Sequence, residues 1–349
     1  MHMADALLSP AVGGLFWAGS AGTLAYSAGK IKEASDEKLV PLMGVMGAFV
    51  FAAQMINFTI PGTGSSGHFA GGMLLAILLG PYPAFLVMAS VLTVQALFFA
   101  DGGLLALGAN IWNMAFYPCF VAYPLIYRPL VKKKMTPGRI TAAAIAASVV
   151  SLELGALSVV IETLLSGITD LTFGTFLLLM LPVHLAIGLV EGLVTAGIVN
   201  FVRAQRPEVL EHEEGEGKRK SFPVRGLVLT FLVLAILTGG ILSWYASEYP
   251  DGLEWSIEKV TGKTELEAPE KGVHAIFQKV QEKTALLPDY SLPPGREGAS
   301  AATSPETSEK VGTSLSGVVG SLIVLAAVVL SAGAVKIVRR KRSGRAEGG

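Results

Sequence analysis

The chain has 349 residues, of which 52% are hydrophobic and only 15% charged, with 27 basic and 27 acidic side chains and a formal net charge of zero. Soluble domains carry about a quarter charged residues. This composition therefore excludes a general nucleic-acid binder and an ordinary soluble enzyme, and points to a polytopic membrane protein. One cysteine, Cys119, lies in an apolar run, so neither an internal disulfide nor a cysteine metal cluster is available.

The chain opens MHMADALLSP. The stretch before the first apolar run contains Asp5 and no basic residue, so it lacks the positive start of a secretory leader and is expected to stay on the protein. A bilayer-spanning helix needs about 20 mostly apolar residues. Such stretches fall near 10–29, 38–57, 69–80, 82–100, 103–127, 138–166, 173–202, 226–246 and 314–336. The third is short and flanked by GTGSSGHFAGG and GPYP, so a tilted or partly re-entrant course is expected there. In the first stretch, Gly14, Ala18 and Gly22, and likewise Ala21, Ala25 and Gly29, recur every four residues. Such small-residue faces serve either internal helix packing or docking of a partner subunit.

Basic residues mark alternate loops. Lys30, Lys32 and Lys38 follow the first span, Arg128 to Arg139 the fifth, Arg203 to Arg225 the seventh and Lys336 to Arg342 the ninth. The loops at 58–68, 101–102 and 167–172 contain no Lys or Arg. The positive-inside rule then predicts an outer N-terminus and a cytoplasmic C-terminus. His2 and the 58–68 loop fall on the same, outer, side.

Residues 206–225, RPEVLEHEEGEGKRKSFPVR, read as a cytoplasmic linker between a membrane domain at 1–205 and a two-helix companion at 226–349. The companion's helices flank an outer loop at 247–313. Its earlier part, PDGLEWSIEKV and KGVHAIFQKV, has the periodicity of short amphipathic helices, and its later part, LPPGREGASAATSPETSEK, has the composition of a disordered tether. The predicted fold is all-α: about seven helices in a bundle plus two further transmembrane helices.

Five histidines bear on function. His212 lies among glutamates in the linker, and His274 is expected on a helix surface in the outer loop. His184 and Glu191, two turns apart in the seventh span, suggest a polar pair; Glu153 and Glu162 in the sixth are further intramembrane ionisable groups. His2 and His68 form a different pattern. The α-amine of Met1, the His2 backbone amide nitrogen when deprotonated, and the His2 imidazole close a five-membered and a six-membered chelate ring. His68 is placed to fill the fourth position. Four nitrogens in a plane suit Ni(II) or Cu(II), not tetrahedral zinc. The large His2 side chain disfavours removal of Met1. Gly62 and Gly67 have the spacing of a phosphate loop, but His68 and Phe69 stand where Lys and Ser or Thr are required, so no nucleotide site is expected.

MHMADALLSP, GAFVFAAQMINFTIPGTGSSGHFAGG and QALFFADGGLLALGANIWNMAF resemble the substrate-specificity component of nickel/cobalt energy-coupling-factor transporters, the NikM/CbiM type. PDGLEWSIEKV resembles an element of the NikN-like companion often fused to it. The resemblance implies a seven-helix specificity component with an extra N-terminal helix, in the plasma membrane. It implies a transported Ni(II) or Co(II) held by Met1, His2 and His68, and no catalytic cofactor. It also implies a transmembrane coupling subunit and two cytoplasmic ATPases as partners, the chain itself not being an enzyme. The Ser66-Gly67-His68-Phe69-Ala70 and Ala100-Asp101-Gly102-Gly103 stretches differ from the cobalt-type pattern but keep the donor set. Gln95, Asp101, Asn110 and Asn113 are candidate partners that orient an imidazole. The alternatives are an ATP-independent metal channel and an intramembrane hydrolase built on His184 with Glu191 or Glu162.

Overall fold

A computed structural model describes residues 2–31, 36–210, 225–291 and 305–346, with the side chains of 36–38, 305–309 and 334–346 left aside. Met1 and His212 lie outside the described residues.

The described chain is a helical membrane protein. Helix α1 (Pro10–Lys30) starts with Ser9 as N-cap and Pro10 at its first position, where the missing N–H costs nothing. Helix α2 (Asp36–Gln54) returns to the end from which α1 departed. A hairpin of two short strands follows, β1 (Asn57–Ile60) and β2 (Ser65–His68), paired antiparallel with Asn57 opposite His68 and Phe58 opposite Gly67. Among the described residues this short hairpin is the one piece of sheet in an otherwise all-α fold. Its turn is Pro61-Gly62-Thr63-Gly64, with φ of 79° at Gly62 and 76° at Gly64, a left-handed geometry that glycine adopts without steric cost. Gly67 sits against Ile187, and an added Cβ there would overlap that side chain. Gly67→Ala is expected to cost about 1–3 kcal/mol through overpacking, read as a lower unfolding midpoint of the detergent-solubilised protein.

Helix α3 (Gly72–Leu79) has eight residues. At 1.5 Å per residue it rises ~12 Å, well short of a ~30 Å hydrocarbon core. The third apolar stretch is thus not a full helical span; Gly80, with φ of 87°, joins it directly to α4 (Pro81–Val94). A wide π-helical stretch, Gln95–Phe99, continues α4. Helix α5 (Leu107–Ile111) likewise runs through π-type turns, Trp112–Tyr127, into α6 (Arg128–Lys132). Pro118 and Pro124 lie in that stretch, where a regular α-helical ladder would lack their N–H groups and clash with their rings.

Helices α7 (Pro137–Ser166) and α8 (Phe173–Gln205) form a long antiparallel pair. They approach closely because Gly188 and Gly192 face the backbones of Val149 and Ile145. Helix α9 (Arg225–Gly240) and helix α12 (Pro305–Ala346) cross at Gly239 and Gly317 and pack on α2, with Ser321 Oγ donating to the Ala48 carbonyl at 3.2 Å. Between them lie α10 (Gly252–Thr261) and α11 (Val273–Thr284), the amphipathic helices expected of the outer loop. Residues 292–304 of the expected tether lie outside the described residues, and helix has resumed by Pro305.

Among the described residues, four helical stretches are long and apolar enough to cross a membrane: Pro81–Phe99, Pro137–Ser166, Phe173–Gln205 and Lys310–Gly333. Leu39–Gln54 and Arg225–Gly240 are shorter apolar helices. The connections at 57–68, 100–106 and 167–172 gather at one end of the bundle together with α10 and α11.

Candidate metal centre

The site is built where the N-terminal segment folds back into the bundle. Met3, Leu7 and Leu8 are completely or almost completely buried and anchor that segment among the helices. The Met3 backbone is held on both polar groups: its N–H donates to Asn110 Oδ1 at 2.8 Å, and its carbonyl accepts from Asn110 Nδ2 at 3.1 Å and from the Gly103 N–H at 2.9 Å. Asp5 Oδ1 accepts from the Ala106 N–H at 3.0 Å, while burial raises its carboxyl above the ordinary range. Gly102, at φ 79°, supplies the close approach; an added Cβ would lie 2.9 Å from Asn110 Nδ2 and 3.3 Å from His2 Cβ.

This docking carries His2 to the hairpin. The His2 and His68 rings stack, with centroids 5.3 Å apart and planes 21° from parallel. His2 Nε2 lies 3.1 Å from Gln95 Oε1, and its Nδ1 lies 3.4 Å from Asp101 Oδ1. His68 Nε2 lies 3.9 Å from Asp251 Oδ2, and its Nδ1 is 3.4 Å from the Phe69 carbonyl. Burial lowers the pKa of His2 and pushes that of His68 down to about 3, so protons do not occupy the His68 electron pair at neutral pH. Neutral imidazoles are the metal-binding form.

The segment after α9 covers this point. Ser66, on the hairpin edge, donates its N–H to the Pro250 carbonyl at 2.8 Å and its Oγ to the Tyr249 carbonyl at 2.7 Å, and forms a parallel bridge with Asp251. Asp251 caps α10, accepting from the N–H groups of Leu253 and Glu254 at 2.8 and 2.9 Å, with Glu254 reaching back to its N–H at 3.0 Å. Gln281 of α11 donates to the Ala96 and Gly102 carbonyls at 2.9 and 2.7 Å, and Tyr290 donates to Asp101 Oδ2. A cavity of ≈ 650 Å³ lies beneath, reached by His2, His68, Asp101, Asp251 and Glu254. Among the described residues, no three His, Cys, Asp or Glu side chains converge as a metal cage.

The other sequence candidates have different partners. His184 Nδ1 donates to the Met180 carbonyl at 2.8 Å, whereas Glu191 Oε2 accepts from the Ala70 N–H at 2.9 Å. The expected His184–Glu191 pair is therefore not formed; each group satisfies backbone. Glu162 accepts from Asn113 Nδ2 at 2.9 Å, and Glu153 lies on α7. His274 is not on a helix surface: it is 4% exposed and its Nε2 donates to the Leu8 carbonyl at 2.9 Å. Gln54, Asp251 and Tyr290 were not among the expected site residues. A glutamine at the end of an apolar span and the acid of the PDGLE element were visible signals for the first two. Tyr290 had none.

Residues 2–209 match the model of a family described as the cobalt uptake substrate-specific transmembrane region. The chain belongs to this family. Residues 225–340 match the PDGLE domain, so the family's membrane region is joined here to a second unit. A putative fused nickel transport protein, NikMN, of Archaeoglobus fulgidus is 38% identical over 330 residues, covering 93% of this chain and 96% of its own length. A probable fused nickel transport protein, LarMN, of Lactiplantibacillus plantarum is 32% identical, with 84% and 89% covered. Among solved structures, that of a truncated transition metal transporter is 33% identical and aligns with a TM-score of 0.52 over 59% of this chain and 99% of that one.

Proposed function

We propose that this chain is the substrate-specificity subunit of an ATP-driven energy-coupling-factor importer for Ni(II) or Co(II). The metal is cargo, bound by a planar set of nitrogens: the Met1 amine, the His2 amide nitrogen, the His2 imidazole and His68. The observation that carries this reading is the meeting of His2 and His68, 66 residues apart in sequence, with ring centroids at 5.3 Å. Residues 1–205 act as the metal-binding membrane domain, 206–225 as its linker, and 226–349 as the companion that covers the site.

The site end is assigned to the outside. Its connections at 57–68, 100–106 and 167–172 lack Lys and Arg, while Lys30, Arg128, Lys132, Arg139 and Arg203 lie at the opposite ends of their helices. A coupling subunit and two ATPases supply the energy, and the exposed small-residue face of α1 suits docking of the former. Gly14, Ala18 and Gly22 are exposed, and an added Cβ at Gly14 or Gly22 would meet nothing within 4 Å. Reconstitution in proteoliposomes tests the whole reading: radioactive nickel accumulates against a gradient only with both partners and ATP. Equilibration without them would make the chain a channel instead.

Nickel affinity is expected to rise with pH between about 6 and 8. The free α-amine has an unperturbed pKa of ~7.7–8.0, and both it and the His2 amide must lose protons to bind. His68, held down to about 3 by burial, adds no proton competition in this window. Calorimetry in buffers of differing ionisation enthalpy measures the protons released; nickel binding without release would contradict the amine and amide donors.

A further inference from the structure

A chain of three side-chain hydrogen bonds runs from the backbone into the site. The Ala70 carbonyl accepts from Gln54 Nε2 at 2.8 Å. A carbonyl cannot donate, so this contact determines which end of the Gln54 amide faces it. Gln54 Oε1 is thereby turned toward Gln95, whose Nε2 donates to it at 2.7 Å. Gln95 then presents Oε1, an acceptor only, to His2 Nε2 at 3.1 Å. Gln95 is fully buried and Gln54 is 6% exposed, so water does not offer either amide an easy alternative partner. Ala70 itself is anchored, because its N–H donates to Glu191 Oε2 at 2.9 Å.

We infer that this relay fixes His2 as the Nε2–H tautomer and reserves Nδ1 as the ring nitrogen for the metal, making Gln54 and Gln95 positioning residues. Each link has one permitted direction, and the direction is imposed by a backbone carbonyl two side chains away. Nδ1 is also the only ring nitrogen that closes a six-membered chelate with the residue's own amide nitrogen. The Asp101 carboxylate, 3.4 Å from Nδ1, attracts either a proton or a metal cation to that nitrogen; in the apo chain it competes with the relay, its other oxygen already accepting from Tyr290, and in the loaded site it favours the metal. Orienting partners of this kind select the tautomer and the ring plane of a ligating histidine.

The tautomer assignment stands on the apo geometry alone; its use in metal binding rests on the function proposed above. The test uses the full chain with an untagged N-terminus, labelled with ¹⁵N-histidine, in detergent with chelator at mildly alkaline pH. His2 is assigned by difference from His2→Gln. Long-range proton–nitrogen correlation is expected to show a protonated Nε2 and an unprotonated Nδ1. Gln54→Met, which matches the side chain in size but removes the anchor, is expected to give a mixture of tautomers and to lower Ni(II) affinity about 10–100-fold by calorimetry. A protonated Nδ1 in the native chain overturns the inference, whatever the variant does. So does a folded Gln54→Met protein with unchanged tautomer and affinity. A native Nε2–H tautomer that shifts in Gln54→Met, in a chain that binds no nickel, upholds the relay and overturns the metal site.

Discussion

Replacing His68 by alanine is expected to lower Ni(II) affinity more than ~100-fold. Loss of an outer partner of a metal ligand costs about 10–100-fold, and His68 is proposed as a ligand itself. The side chain is buried at the end of β2, with Asn57 opposite it in the hairpin, so truncation leaves the strand pairing intact. His2→Gln is expected to be as severe, and for a separable reason: it removes the imidazole but leaves the amine. Keeping the formyl group on Met1 removes the amine and leaves both imidazoles. Calorimetry and the absorption of planar Ni(II) report the three cases. Wild-type affinity in all three would refute the donor set, whereas wild-type affinity with formyl-Met1 alone would exclude only the amine.

Asn110→Ala is expected to weaken nickel binding 10- to 100-fold without touching a proposed ligand. Asn110 holds both polar groups of the Met3 peptide, at 2.8 and 3.1 Å, and is itself buried. Truncation leaves the buried Met3 N–H without that acceptor, at a cost of about 1–3 kcal/mol. The Met3 carbonyl keeps the Gly103 N–H. The N-terminal segment is then held mainly by the burial of Met3, Leu7 and Leu8, so His2 is presented in its docked position for a smaller fraction of the time. An affinity that scales with this fraction falls accordingly. Asn110→Asp keeps one acceptor for the Met3 N–H and is expected to lie between wild type and alanine. Equal affinities for wild type and both variants would show that docking of the N-terminus does not limit metal capture.

The fused companion adds a further layer to both effects. It reaches the site through Asp251 toward His68, and through Tyr290, which donates to the Asp101 carboxylate beside His2. Asp289 and Tyr290 both have positive φ, 49° and 58°, which is uncommon for non-glycine residues. That backbone places the Tyr290 ring on Phe99, with centroids 5.0 Å apart, and its hydroxyl on Asp101. The cover thus meets the two histidines through the carboxylates that face them.

The helical membrane class was legible from apolar run length, because a membrane helix must satisfy its backbone internally and advertises itself by composition. The hairpin was not, since the twelve residues 57–68, mostly polar or glycine, carry little periodic signal and acquire their strand pairing from the turn and from the 249–251 edge beside them. The third apolar stretch was recognised as short, but its end at Gly80 and its fusion to α4 depend on a backbone angle. Chelate chemistry singled out Met1, His2 and His68 because two of the three are adjacent in the chain and their ring sizes follow from covalent structure. Polar residues inside apolar spans were visible as suspects, yet sequence spacing paired His184 with Glu191 wrongly. Facing one another along a helix does not decide between a side-chain partner and the backbone of a neighbouring element. Composition, covalent geometry and local periodicity therefore determined that this is a helical membrane protein with an N-terminal histidine suited to chelation. Only the tertiary structure decided that His2 meets His68, that Gln54 and Gln95 orient it and that the companion closes over both. Those are contacts between residues tens to hundreds of positions apart, whose distances and hydrogen-bond directions no local pattern encodes.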